Sequence, residues 1–195
     1  MNTAVKIEEK YSYGDYLKWP DGERWELIDG APCGMSPAPT KTHQKCLGVI
    51  FRMIADFLDD KPCEVYPAPF DVRLPEGDEA DDDIETVVQP DIVVVCDKSK
   101  LDEAGCRGAP DLIIEILSES TAGKDLNEKF FLYERRAVKE YWVVNAWDMT
   151  LSQYCLGKNK KYGTPILAGL GDKACSNVLK GLEIEISKIF QTEER

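Results

Sequence analysis

Apolar residues along this chain follow two patterns. Leu112-Ile113-Ile114-Glu115-Ile116-Leu117 and Ile92-Val93-Val94-Val95 are nearly continuous runs, rich in β-branched residues and preceded by turn formers. Runs of this kind predict strands buried on both faces, neighbours at the centre of one sheet. Cys46, Leu47, Val49, Ile50, Met53, Ile54, Phe57 and Leu58 recur instead at helical spacing, as do Leu126, Phe130 and Tyr133, with Lys129 inside the second stripe. These stripes predict helices over Thr42–Leu58 and Lys124–Arg135 that cover the sheet. Thr40 or Thr42 caps the first, and Ser118, Ser120 and Thr121 lead into the second.

Punctuation supplies further elements. A short helix is expected over Tyr11–Lys18. Arg24–Ile28 reads as a strand, Asp29-Gly30 as a hairpin turn, and Cys33–Met35 as the return strand. Cys63–Leu74 is a strand region that Pro67 and Pro69 bend or push to an edge. The acidic stretch Pro75–Glu85 lacks the spacing of an EF-hand loop and reads as a solvated hairpin tip. A polar connection through Lys98, Lys100 and Gly105 follows the Asp91 strand. Lys139–Asn145 is a further strand, and Trp147-Asp148-Met149 turns into Thr150–Leu156. Strands near Ile166–Leu170 and Glu183–Ile186 finish the chain.

Length and charge narrow the picture. A chain of 195 residues fits a single domain spanning 1–195. No apolar run reaches the ~20 residues that cross a bilayer, and the polar N-terminus is neither a signal nor a transit peptide. The seven cysteines (Cys33, Cys46, Cys63, Cys96, Cys106, Cys155, Cys175) form no CxxC pair. That favours free thiols in a reducing cytoplasm over a disulfide framework or a zinc site. The net charge of −12 argues against tight, sequence-independent DNA binding by a monomer. Tyr141, Trp142, Trp147 and Tyr154 are numerous aromatics for a small acidic chain, and a homodimer would bury some of them.

The chemistry centres on Glu115. An ionised carboxylate inside an apolar strand costs several kcal/mol or more unless something pairs with it. Lys129, a cation on the inward stripe of the next helix, can approach it. Asp91 stands at the entrance of the neighbouring strand. Two carboxylates and a lysine suit metal-assisted phosphodiester hydrolysis. Asp111 shares the Pro-Asp context of Asp91 and is the alternative ligand. Glu26 is either a site residue or the exposed face of an alternating strand. His43, the single histidine, cannot make a histidine metal site and reads as a capping or surface residue.

The order of these phrases resembles the PD-(D/E)XK nuclease superfamily, and within it the bacterial restriction endonuclease-like (Uma-type) family. The phrases are Trp25-Glu26-Leu27-Ile28-Asp29-Gly30, His43, Gln89-Pro90-Asp91, Ala109-Pro110-Asp111-Leu112, Glu115-Ile116-Leu117-Ser118, Asp125-Leu126 with Lys129 and Tyr133, and Glu140-Tyr141-Trp142. The resemblance implies an α/β fold: a restriction endonuclease-like core, a central mixed β-sheet flanked by helices, and an N-terminal β-hairpin. It also implies a metal-dependent DNA endonuclease, with Asp91 and Glu115 holding Mg²⁺ (or Mn²⁺). One departure is plain: the superfamily motif places a lysine two residues after the acid, and Leu117 stands there. Lys129 matches a variant in which the lysine has moved to the following helix, and Lys124 is the fallback. The competing reading is a non-catalytic metal- or partner-binding protein that retains the nuclease fold. A small-molecule phosphoesterase lacks a phosphate-gripping Gly-rich loop.

Overall fold

The computed structural model describes residues 9–20, 24–35, 38–118, 123 and 125–190. In chain order they form α1 (Tyr13–Tyr16), β1 (Trp25–Ile28), β2 (Ala31–Gly34), α2 (Lys41–Leu58), β3 (Glu64–Pro67), β4 (Val72–Arg73), β5 (Val87–Val88) and β6 (Ile92–Val95). Next come β7 (Leu101–Asp102), β8 (Gly105–Arg107), β9 (Leu112–Ile116), a π-helical turn (Asp125–Lys129) continuing into α3 (Phe130–Arg135), β10 (Glu140–Asn145) and β11 (Thr150–Cys155). The chain closes with β12 (Ile166–Ala168), β13 (Lys173–Cys175), β14 (Glu183–Glu185) and α4 (Ile186–Ile189). Among the described residues no helix is long and apolar enough to cross a membrane.

The central sheet has six strands in the order β12-β11-β10-β9-β6-β3. It is mixed: β9 and β10 run parallel, and the other pairs are antiparallel. Its alternating side chains serve two cores. Ile92, Val94, Leu112, Ile114 and Ile116 pack with Ile50 and Ile54 of α2 and with Ile186 and Ile189 of α4. Val93, Val95, Ile113 and Val143 pack with Leu132 and Tyr133 of α3 and with Val72, Val88 and Cys106 of a second sheet. Both faces are therefore dry, which is why β6 and β9 read as apolar runs. Each fully buried Ile or Leu here contributes about 1.5–3 kcal/mol. Pro67 sits on the edge strand β3, where its missing N–H breaks no central ladder.

The second sheet, also six-stranded, runs β2-β1-β5-β4-β8-β7. Its N-terminal hairpin turns at Asp29 (φ 53°) and Gly30 (φ 81°), the paired positive φ angles of a tight hairpin turn. β4 and β5 pair antiparallel, with the acidic stretch between them. Asp81 in that stretch is bound by the Arg73 and Arg107 guanidiniums, so this part of the tip is tied to the sheet.

Several expectations change. The connection after the Asp91 strand is not merely a polar loop; it contains the β7–β8 hairpin. Tyr141 and Trp142 are fully buried, because β10 lies inside the sheet between β9 and β11; Trp147 remains half exposed. Cys63 and Cys96 are joined in a disulfide, whereas Cys33, Cys46, Cys106, Cys155 and Cys175 are free. The register Glu64↔Val95 sets those two cysteines opposite each other, a proximity that sequence spacing does not reveal. Ser120, Thr121 and Lys124 lie outside the described residues.

Candidate active site

The two sheets meet at Gln89-Pro90-Asp91, which links β5 of one to β6 of the other. The register Ile92↔Ile114 carries Asp91 opposite Glu115 of β9. Glu26 comes from β1 of the second sheet. Lys129 ends the turn before α3. Helical spacing puts Tyr133 on the same side one turn later.

Lys129 Nζ lies 2.8 Å from Glu115 Oε1 and 2.8 Å from Glu26 Oε1, and all three side chains are buried. One ammonium is thus divided between two carboxylates. Such a cluster is tolerable in a dry interior only with close pairing and further hydrogen bonds. Tyr133 Oη donates to Glu115 Oε1 at 2.7 Å, and the Gln89 backbone N–H donates to Glu26 Oε1 at 3.0 Å. Burial first, then the charges of Glu115 and Glu26, hold the Tyr133 phenol well above its ordinary pKa. It stays protonated and acts as a donor.

Asp91 Oδ2 accepts from the Ile116 backbone N–H at 2.7 Å and lies 3.2 Å from His43 Nε2. Its side chain is 18% exposed, more open than Glu115 or Glu26. Thr40 caps α2 by accepting from the His43 N–H at 3.2 Å, which fixes the helix turn that carries the imidazole. Gln89 is itself anchored: its Oε1 accepts from Arg24 Nε and Nη2 at 3.1 and 2.8 Å.

The structure therefore gathers Glu26, Glu115 and Lys129, with Asp91 on the adjoining strand. Asp111 is elsewhere: it accepts from Cys96 N–H at 2.7 Å and Lys139 Nζ at 2.6 Å, holding the start of β9. Sequence reasoning underrated His43 and treated Tyr133 as core. The signal for Tyr133 was its position four residues after Lys129. For His43, whose partner is distant in sequence, the one signal was its place among the phrases of the family resemblance. Among the described residues, no group of three or more His, Cys, Asp or Glu side chains forms a metal cage.

The family model of Uma2, described as "Putative restriction endonuclease", matches residues 13–187. The chain belongs to this family. Two Synechocystis proteins are similar to it. Uncharacterized protein slr1290 is 24% identical over 148 residues, covering 74% of this chain and 74% of that protein. Uncharacterized protein sll1609 is 24% identical over 135 residues, covering 68% and 72%. The crystal structure of a "putative nuclease belonging to DUF820" from Anabaena variabilis aligns with a TM-score of 0.73 at 16% identity, over 92% of this chain and 97% of that one. At that identity the likeness speaks for the fold, and it extends beyond the central sheet to most of the chain. The Uma2 match spans Glu26, Asp91, Glu115 and Lys129.

Proposed function

We propose that this Uma2 chain is a divalent-metal-dependent DNA endonuclease, with Asp91 and Glu115 holding Mg²⁺ (Mn²⁺ as a substitute) and Lys129 and Glu26 completing the site. The observation that carries this reading is the buried Lys129 ammonium, 2.8 Å from both Glu115 and Glu26 and one strand away from Asp91. The donor set fits such an ion. It is made of anionic carboxylate oxygens, the ligands of hard cations. Mg²⁺ keeps several waters and takes one or two carboxylates plus substrate phosphate oxygens, so Asp91 and Glu115 are protein ligands enough for it.

A divalent cation bound there supplies Lewis-acid stabilisation of the phosphate and acidifies a bound water. The chain's own groups do the positioning. The Ile116 N–H and His43 orient Asp91, and Tyr133 orients Glu115. Lys129 is held by its carboxylates where its ammonium can steady the attacking water or the charge that develops on the phosphoryl oxygens. Glu26, fixed by the Gln89 N–H, keeps Lys129 charged and in place.

A homodimer belongs to the same proposal, since two copies of the site can cut both strands of a duplex. Tyr141 and Trp142 no longer favour it, but the exposed Ile166, Leu167 and Leu170, on and beside the edge strand β12, do. Light scattering tests it.

Nicking of supercoiled plasmid by the purified chain tests the activity. Relaxed product is expected with Mg²⁺ or Mn²⁺, and none with EDTA or with Glu115→Gln. Metal binding by the unaltered chain without any nicking would favour the non-catalytic reading instead.

A further inference from the structure

An open cavity of about 580 Å³ lies beside the carboxylate site. Its wall is connected to that site at two points. Gln89 lines it, while the Gln89 N–H is held by Glu26. Pro69 and Phe70 line it next to Ala68, whose N–H donates to the Asp91 carbonyl at 3.0 Å.

One side carries an aromatic pair: Tyr66 and Phe70 stack on each other with ring centroids 4.3 Å apart and planes within 4°, so a third ring can extend the stack only on an outer face. On another side the β7–β8 turn descends onto Asp71. A Cβ at Gly105 (φ +125°) would stand 2.2 Å from the Asp71 carbonyl oxygen, so this closure depends on glycine. Asp71 is a pre-set acceptor. Its Oδ1 takes hydrogen bonds from Gln89 Nε2 at 2.8 Å and Tyr16 Oη at 3.2 Å, and Arg24 fixes which way the Gln89 amide points. Burial raises the Asp71 carboxyl above its ordinary pKa.

The lining selects its guest. Asp71 and Glu103, with Asp102 already paired to Arg73, disfavour a phosphate inside the cavity, and Asp71 accepts best from an amino group; thymine offers only a ring N–H set between two carbonyl oxygens that a carboxylate repels. We propose that this cavity is a subsite for a nucleobase with an exocyclic amino group (adenine, cytosine or guanine rather than thymine), its ring extending the Tyr66–Phe70 stack and its amino group on Asp71. The base would leave its stack next to the phosphate held at the carboxylate site, as enzymes that read single nucleotides do. The inference rests on the DNA-nuclease reading, but its test needs no cleavage.

The unaltered full-length chain, in EDTA, is titrated with the four free deoxynucleosides and followed by NMR at Tyr66, Phe70 and Gln89. Deoxyadenosine, deoxycytidine and deoxyguanosine should shift these resonances, with thymidine at least about tenfold weaker. In Asp71→Asn the amide oxygen keeps the Gln89 and Tyr16 bonds and turns an NH₂ into the cavity, so preference should move toward thymidine. Ala104→Trp, at the exposed turn on the rim, should block all four without changing the melting temperature. Equal binding of thymidine by the unaltered chain overturns the proposal, as does no nucleoside binding at millimolar concentration. So does choline moving the same resonances while nucleosides do not, which would mark a cation box. Nucleoside binding in a chain that never nicks plasmid would sink the nuclease reading and leave the subsite standing.

Discussion

Two buried glutamates on neighbouring strands, Glu115 on β9 and Glu140 on β10, meet opposite solutions to the same physical problem. The strands run parallel and Glu140 lies beside Leu112, so the two carboxylates occupy opposite ends of the sheet. Glu140 is fully buried and is surrounded by neutral donors: Trp142 Nε1 at 2.8 Å, Gln153 Nε2 at 2.5 Å, Ser176 Oγ at 2.8 Å, and the backbone N–H groups of Asn177 and Val178 at 3.1 and 2.9 Å. It pins the 176–178 segment to the sheet. Glu115 instead shares the Lys129 ammonium with Glu26 and faces Asp91 across the strand pair. A burial measurement alone does not separate the two. The kind of partner does: neutral donors saturate a carboxylate and lock it, whereas a cation shared between two carboxylates is the pattern that marks a candidate site.

The largest effect should come from the locked end. Glu140→Ala strands several buried donors at once and should cost about 3–5 kcal/mol in urea unfolding. Mn²⁺ binding at the other end of the sheet should be unchanged; a loss of both would erase the contrast. Lys129→Met keeps the apolar stem and removes the charge. Plasmid nicking should fall about 10²–10³-fold while Mn²⁺ still binds, on the scale of losing one electrostatic contact to the transition state. Full nicking by this variant would remove Lys129 from the mechanism and move the bet to Lys124.

Glu115→Gln sharpens the comparison further. By calorimetry, Mn²⁺ affinity should drop at least about tenfold. The metal-free melting temperature should hold or rise, because carboxylate repulsion is relieved; undiminished binding would overturn the site. The smallest effect is a matter of pH. Burial raises Asp71 above its ordinary value of 3.8, so the folded chain binds its proton more tightly than the unfolded chain. Its contribution is therefore present below 3.8 and lost as pH rises through the folded value. Asp102 behaves oppositely: hydrogen bonding to Arg73 depresses its pKa, so its contribution exists above 3.8 and is lost as pH falls. Asp71→Asn should hold or raise the melting temperature at neutral pH, and Asp102→Asn should lower it. The reverse order would mean that Asp71 has an ion partner like those of the Arg73 cluster.

The strands β6 and β9, their adjacency, the helix α2 and the first hairpin could all be read from local pattern. Continuous apolar runs, helical spacing and the Asp29-Gly30 turn report burial and backbone angles that are set within a few residues. The same locality brought out Glu26, Asp91, Glu115 and Lys129 as candidates, because a charge inside an apolar run is conspicuous wherever its partner lies. Only the tertiary structure decided which partners they meet. Lys129 ties Glu115 of the central sheet to Glu26 of the second, His43 reaches Asp91 from the start of α2, and Cys63 meets Cys96 through strand register. It also decided that Glu140 is locked, that Asp111 holds a strand start, and that Gly105 lets a hairpin close over Asp71. The physical reason is range: periodicity encodes which side of an element is dry, whereas charge pairing and cavity shape depend on which elements the folded chain brings within a few ångströms.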